Sequence, residues 1–444
     1  MVFPGNPHIP LSIIGQPGGS KNNASSTVDV AVMQSLISKG EVKDIVKNYG
    51  MIIVDECHHV SAFSFEQILK TANARYVYGL TATPTRQDGH QPIIYMQCGP
   101  IAYKVDNKKQ TAAHTFEHYM IPRFTSFKST GDQITKLYAA ISENELRNDL
   151  IVNDCIKALS ESRTPVILTE RTKHVDILAD KLKKYNVIKL IGGMGNKYNT
   201  AIMSKLSSLP DDEQFIVIAT GKYIGEGFDL PRLDTLLLAM PISWQETLQQ
   251  YAGSLHRSYE GKSEVRIYDY IDIHVPMLEK MYQKRLKGYN SIGYMTRCED
   301  TAESISGIYD NTNFLDVFIA DILSAKQEVR LVSPFISKRI IARLIPRLSP
   351  AAAKLTIITR PPEDNKNSIV RQRAEECIGM LKDSGFKIYT RASIHQKFTV
   401  IDQRLIWYGS INFLRFGTSE ESAIRLESVN IAAELIETMQ DKWD

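Results

Sequence analysis

Short apolar runs alternate with amphipathic stretches over most of this chain. YGMIIVDE (49–56) predicts a buried strand, SFEQILKTA (64–72) a helix and RYVYGLTA (75–82) a second buried strand. Continuous apolar runs of this length, separated by helical periodicity, fit a parallel sheet whose strands are covered on both faces by crossover helices. The pattern resumes in TPVILTE (164–170), KHVDILADKLKKY (173–185), VIKLIGG (187–193), FIVIATG (215–221) and LDTLLLAMP (233–241). A third block opens with the amphipathic NFLDVFIADILSA (313–325). It continues through the strands EVRLVSPFI (328–336), KLTIITR (354–360), KFTVID (397–402) and RLIWYGSI (404–411). Between the second and third blocks, HVPMLEKMYQKRLKGY predicts a basic helix whose Lys280, Lys284, Arg285 and Lys287 fit a solvated surface face and a nucleic-acid contact equally well. The non-periodic MTRCEDTAESISGIYDN beyond it predicts a linker. The expected organisation is α/β throughout, with a partial first lobe at 1–110, a second lobe at 111–292, a linker at 293–309 and a further α/β domain at 310–444.

Composition narrows the class only a little. Of 444 residues, 43% are hydrophobic and 23% charged, which is ordinary globular usage and argues against wholesale disorder. No run of eighteen apolar residues occurs, so no spanning helix and no membrane partner are expected, and MVFPGNPHIPLS lacks the basic start and apolar stretch of a secretory signal. The five cysteines are scattered without a C-x-x-C pair, which fits a reducing cytoplasm and argues against a disulfide scaffold or zinc ribbon. A formal charge of +3 gives no electrostatic signal for nucleic acid, so motifs must carry that question.

VDECHH (54–59) closes a hydrophobic strand with adjacent acids. At the end of a parallel strand Asp55 would face the ligand crevice and could hold Mg2+, and Glu56 could polarise a water for attack on a phosphate. Two acids at a strand end also fit a solvated turn. Three further strings follow in order: GLTATPTR (79–86), ATGKYIGEGFDLPRLD (219–234) and QQYAGSLHR (249–257). Together they resemble the superfamily 2 helicases of the DECH-box branch over residues 28–290, which implies RecA-like parallel-sheet lobes, the first incomplete. VDVAVMQSL (28–36) resembles a first-lobe nucleic-acid contact motif. The resemblance assigns Asp55 to Mg2+ bound with ATP, Glu56 to water activation, and Thr81 and Thr83 to coupling between ATP and the nucleic-acid track. Gly225, Glu226, Gly227 and Asp229 match its fifth motif, and Gln250 and Arg257 its sixth.

Two departures stand beside the matches. The family needs G-x-x-x-x-G-K-[ST] ahead of the DECH box, and none of the 54 residues before Asp55 forms it. The GKS at 261–263 has His256 where the first glycine is required, and it precedes a strand, so it reads as a turn. Ser254 stands where the family has the first arginine of its sixth motif. Independent ATP hydrolysis is therefore not expected. A degenerate relic, a late start, and a split gene whose partner protein supplies the phosphate loop all fit.

The C-terminal string HQKFTVIDQRLIWYGSIN (395–412) has the form H-x-K-x4-D-x6-G-S-x-N. His395 and Lys397, two apart on a predicted strand, project from one face. The pattern resembles the phospholipase D superfamily over residues 310–440. That resemblance implies a phospholipase D-like α/β domain in which His395 attacks a phosphodiester to give a phosphohistidine, while Lys397 and Asn412 hold the phosphate oxygens. Ser410 would add a hydroxyl contact, Asp402 is read as more structural than catalytic, and Glu421 or Glu420 would orient the histidine. One copy of the motif is present where the family's site uses two, so a homodimer is expected. The expectation is a cytoplasmic, metal-independent nuclease acting on nucleic acid, DNA rather than RNA or lipid, with a helicase-like module for engagement. Its architecture suggests anti-phage defence or a mobile element. The alternatives are an ATP-dependent motor completed by a partner, and a non-catalytic nucleic-acid-binding scaffold.

Overall fold

The computed structural model describes residues 14–17, 23–25, 27–57, 63–81, 91–106, 109, 111, 114–131, 133–192, 201–202, 204–206, 208–210, 212–221, 230–242, 245–297, 307–417 and 421–439. The chain divides into two compact units, 1–105 and 106–444.

In the first unit the parallel strands β1 (Met51–Val54) and β2 (Tyr76–Gly79) pair in register Met51 with Tyr76, joined by helix α1 (Phe63–Thr71) and followed by α2 (Gln91–Cys98). This is the predicted strand–helix–strand unit. Cys57, Phe65 and Ile94 form its small core.

The second unit contains two seven-stranded sheets. The first is parallel and built from β3 (Glu117–Phe124), β4 (Pro165–Thr169), β5 (Val187–Leu190), β6 (Ile216–Thr220), β7 (Thr235–Leu238), β8 (Glu264–Ile271) and β9 (Met295–Thr296). Its order is β9-β3-β8-β7-β4-β6-β5. Helices α3 (Ile134–Glu143), α4 (Glu145–Ser160), α5 (Thr172–Lys181), α6 (Gln245–Leu255) and α7 (Pro276–Ser291) accompany it. Every residue of β4, β6 and β7 is buried, as the unbroken apolar runs require. Asn144 starts α4 by accepting the Arg147 amide, and Pro276 opens α7, where its missing N–H costs nothing.

The second sheet is mixed, in the order β10-β16-β15-β14-β11-β12-β13. Its strands are β10 (Gly307–Asp310), β11 (Val329–Val332), β12 (Leu355–Thr359), β13 (Lys387–Thr390), β14 (Phe398–Ile401), β15 (Leu405–Gly409) and β16 (Ser422–Glu427). β11, β12 and β13 run parallel, whereas β14, β15 and β16 form an antiparallel meander. Helices α8 (Phe314–Leu323), α9 (Lys338–Leu348), α10 (Ser368–Asp383) and α11 (Val429–Glu437) complete it.

The structure differs from the sequence reading in three places. Met295–Thr296 pairs with Tyr119–Met120 and Gly307–Asp310 with Ser422–Arg425, so the stretch expected as a linker holds two strands. Strands of two and four residues are too short to set a pattern of their own; a waiting sheet edge recruits them. The second difference is that the regions on either side of this stretch are not separate. Tyr282 and Leu286 of α7 share one core with Phe398, Val400, Ile406, Tyr408 and Ile424. The third concerns Arg285, expected on a solvated face or as a nucleic-acid contact. It is 1% exposed and makes two 2.8 Å hydrogen bonds to Asp269, because it lies on the face of α7 that meets the sheet. Lys280 and Lys284 lie on the exposed face.

Candidate functional site

The H-x-K residues do not lie within a strand. β14 begins at Phe398, and residues 394–397 form the loop leading into it. The Gly409 amide donates to the Lys397 carbonyl at 3.3 Å, which extends the β14–β15 pairing and places Lys397 beside Ser410–Asn412 at the end of β15. The next strand begins beside them. Ser410 Oγ accepts the Ser422 amide at 2.9 Å and donates to the Ser422 carbonyl at 3.2 Å, so this hydroxyl is occupied in joining β15 to β16. The Asn412 amide donates to the Glu421 carboxylate. Lys397, Asn412 and Glu421 are thereby gathered at one end of three adjacent strands. The Oδ1 atom of Asn412 is buried there without a hydrogen-bond partner among the described residues.

Asp402 lies at the opposite end of β14. Its carboxylate accepts the backbone amides of Lys326, Gln327 and Glu328 at 2.8, 2.8 and 3.0 Å. Burial alone would raise its pKa, but these three donors outweigh it and hold the carboxyl below its ordinary value. The residue anchors the entry to β11 and is not part of the cluster.

Four residues that the sequence reading left out complete the surroundings. Arg360, just past β12, donates through Nη2 to His395 Nδ1 at 3.1 Å and through Nε to the Ile394 carbonyl at 2.9 Å. An arginine never accepts, so Nδ1 is the acceptor and the neutral imidazole carries its proton on Nε2. Glu279 enters from α7, 1% exposed, and accepts from Tyr408 Oη at 3.2 Å. Phe335 carries the Arg360 and Arg415 guanidinium groups 4.8 and 5.7 Å from its ring centroid. A strand-ending arginine in TIITRPP was visible in the sequence; a single acid inside a basic helix carried no such signal.

Electrostatics follow from this crowding of charge. Burial, then Arg360, Lys280 and Lys397, lower the His395 pKa. Burial lowers that of Lys397, partly opposed by Glu279 and Glu421. Burial raises Glu421 and pushes Glu279 up to about 7, each opposed chiefly by Lys397. Two adjoining clefts of about 700 and about 400 Å3 share Phe335 and Arg415. The larger is lined by Arg360, Lys338, Arg339 and Arg373, and the smaller reaches Asn412 and Glu421.

In the first unit the Leu80 amide donates to the Val54 carbonyl at 2.8 Å and the Cys57 amide to the Leu80 carbonyl at 3.0 Å, so Asp55 and Glu56 lie beside Thr81. Glu56 sits at φ +48°, a tight turn straight after the strand, and its amide donates to Asp55 Oδ1 at 3.0 Å. Arg257 follows α6 in the second unit, and Gln250 lies within α6 with its side chain outside the described set. Thr83, Gly225, Glu226, Gly227, Asp229 and Glu420 lie outside the described residues. The GKS string is a turn, with Gly261 at φ +81° leading into β8.

Comparison with known proteins divides the chain at similar places. The family described as cardiolipin synthase, PLD-like domain, matches residues 318–443, and the family described as type III restriction enzyme, res subunit, matches residues 10–86. A proposed ATP-dependent RNA helicase of Acanthamoeba polyphaga mimivirus is 24% identical over 304 residues, covering 64% of this chain and 55% of that protein. A probable helicase of Escherichia phage T5 is 25% identical over 57% of this chain and 55% of its own length. A transcript termination protein of Yaba-like disease virus is 26% identical over 58% of this chain and 56% of its own. The chain thus spans about half the length of these curated relatives. Among solved structures, a fragment of a proposed HsdR subunit of a type I restriction enzyme from Vibrio vulnificus covers 65% of this chain and 55% of its own, at 18% identity and a TM-score of 0.48. A phospholipase D family member from Salmonella typhimurium covers 32% of this chain and 95% of its own, at 18% identity and a TM-score of 0.27.

Proposed function

We propose that this chain, which joins a helicase-like region to a phospholipase D-like domain, is a metal-independent phosphodiesterase that cleaves nucleic acid, DNA foremost, through a phosphohistidine on His395. The observation that carries this reading is the convergence of His395, Lys397, Arg360, Asn412 and Glu421 on one end of the mixed sheet, beside a basic cleft. Phe335, which is exposed and packs against the Arg360 and Arg415 guanidinium groups, is the aromatic side chain against which a base would stack.

In the proposed reaction a phosphodiester anion enters against Lys397 and Arg360 and draws the guanidinium off Nδ1. The imidazole proton can then move to Nδ1, freeing the Nε2 lone pair. Nε2 bonds to phosphorus, the bond to the leaving sugar oxygen breaks, and that oxygen takes a proton from a second imidazole, which enters the step protonated as an imidazolium and leaves it neutral. Water then gives a proton back to that second imidazole and bonds to phosphorus, the phosphorus–nitrogen bond breaks, and both histidines return to their starting states. Lys397, Arg360 and the side-chain NH2 of Asn412 supply the fixed charge and donors that stabilise the extra negative charge of the transition state. The second imidazole comes from His395 of a second copy, since this residue is exposed and can meet its counterpart.

The test is cleavage of a labelled oligonucleotide by the full chain in excess EDTA. The full chain is needed because α7 shares the core of the mixed sheet. Cleavage should survive EDTA, a quenched reaction should carry label on His395 in an acid-labile, base-stable bond, and light scattering should give twice the chain mass. Loss of activity in EDTA with recovery in Mg2+ would refute the mechanism, and a strictly monomeric active enzyme would refute the shared site.

For the helicase-like region, ATP with Mg2+ held by Asp55 and a water activated by Glu56 is part of the same proposal, conditional on a phosphate loop supplied from outside these 444 residues, as by a partner protein. Phosphate release by the chain alone should stay at background, and Ser254→Arg should raise it only when such a loop is present. Robust release abolished by Glu56→Gln would overturn this.

A further inference from the structure

Three histidines that play no part in the site above come together at the edge of the parallel sheet. His118 lies on β3, His114 four residues before it, and His256 directly after α6. Their ring centroids are 5.1, 5.2 and 4.7 Å apart pairwise. One nitrogen from each lies within 4.8 Å of the other two, and His114 Nδ1 is 3.1 Å from His118 Nε2. His118 is buried and the other two are half-buried. Along the sequence His114 and His118 stand four residues apart, whereas His256 lies 138 residues beyond His118.

We infer that His114, His118 and His256 form a binding site for a divalent transition-metal ion, Zn2+ by preference, that ties the turn carrying Arg257 to strand β3. Neutral imidazole is the ligand such an ion favours. Two nitrogens on a tetrahedral Zn2+ stand about 3.3 Å apart, given bonds of about 2.0–2.1 Å, and the His114–His118 pair is already near that spacing. His256 Nε2 pairs with Tyr294 Oη at 3.0 Å, which leaves Nδ1 for the ion and gives the outer hydrogen bond that metal-bound histidines characteristically make. Tyr294 immediately precedes β9, so the ion would join β3, the end of α6 and the last strand of the sheet. The fourth position would be taken by water. The nearby Lys262 ammonium works against a dication. It is, however, bound by the carbonyls of Pro231, Leu233, Leu255 and Arg257 at 2.6–3.0 Å, and burial pushes its pKa down to about 8.

The competing account is an aromatic cluster, because the same rings pack against Phe116 and Tyr294. The two separate cleanly in the full chain. Dialysis against ZnCl2 followed by metal analysis should leave about one ion per chain, and Co2+ should give the visible absorption of a four-coordinate site. Zn2+ should also raise the melting temperature. His118→Phe keeps an aromatic ring in the buried position but removes the ligand. It should lose the ion and the Zn2+-dependent shift while the metal-free protein melts as before. His114→Gln, at a half-buried position, guards against a folding defect and should weaken retention in the same direction. No retained metal in the parent chain, or full retention in both variants, would overturn the inference.

Discussion

The β1–β2 pair of the first unit and the β4–β6–β7 centre of the second are written in similar apolar residues, yet they end in different surroundings. Met51 and Tyr78 remain 51% and 50% exposed, whereas Val217 and Ile218 are fully buried. MIIV and YVYG pair in the parallel register their pattern predicts, but among the described residues they form a two-stranded sheet with one open apolar face. IVIAT and TLLL have neighbours on both edges and helices over both faces. An apolar run therefore specifies a strand fit for burial; the cover comes from other elements. The same contrast holds for the two candidate chemistries. Among the described residues the acids of the first unit lie on a two-stranded sheet, and the His395 cluster lies on a seven-stranded one.

The largest effect expected from this contrast is on cleavage. His395→Ala should lower it by at least about 10²-fold, the range of a lost acid–base or nucleophilic group, whereas Glu56→Gln should leave it unchanged. An oligonucleotide assay of the two variants side by side decides, and equal losses would mean that the two regions act as one site. Hydrogen exchange gives the next test. Amides of β6 should exchange at least about 10²-fold more slowly than those of β1, because an open two-stranded sheet unfolds locally at little cost. Equal protection would show that something covers the first unit.

Within α7 the contrast sharpens to neighbouring residues. Arg285→Ala strands a buried Asp269 and should destabilise the second unit by about 3–5 kcal/mol, while Lys284→Ala, on the exposed face, should change stability by no more than about 0.5 kcal/mol. Thermal denaturation of each checks this. The smallest effect concerns pH. Burial raises Glu279 from 4.5 to about 7 in the folded chain. Its contribution is therefore complete below about pH 4.5 and is lost as pH rises through about 7, so the second unit should melt lower at pH 8 than at pH 5. Glu279→Gln should flatten that slope; an unchanged slope would assign it to other groups.

The resemblances stated from the sequence agree with the family matches, because each rests on residues close together along the chain: DECH beside its strand, and H-x-K before G-S-x-N across one hairpin. Most strand and helix positions were legible too, since periods of 2 and 3.6 are local properties, but the two short strands recruited to sheet edges and the loop that carries H-x-K were not. By themselves, the residues of this chain determined three α/β segments, the strands within them and the hairpin that gathers His395, Lys397 and Asn412. Only the tertiary structure decided that the second and third segments share a core, that Arg285 turns inward to Asp269, that Arg360 faces the His395 ring, and that His256 meets His114 and His118. Each of these depends on which face of one element meets another, and on the desolvation that the meeting imposes on a charge or an imidazole. No spacing along the chain encodes either.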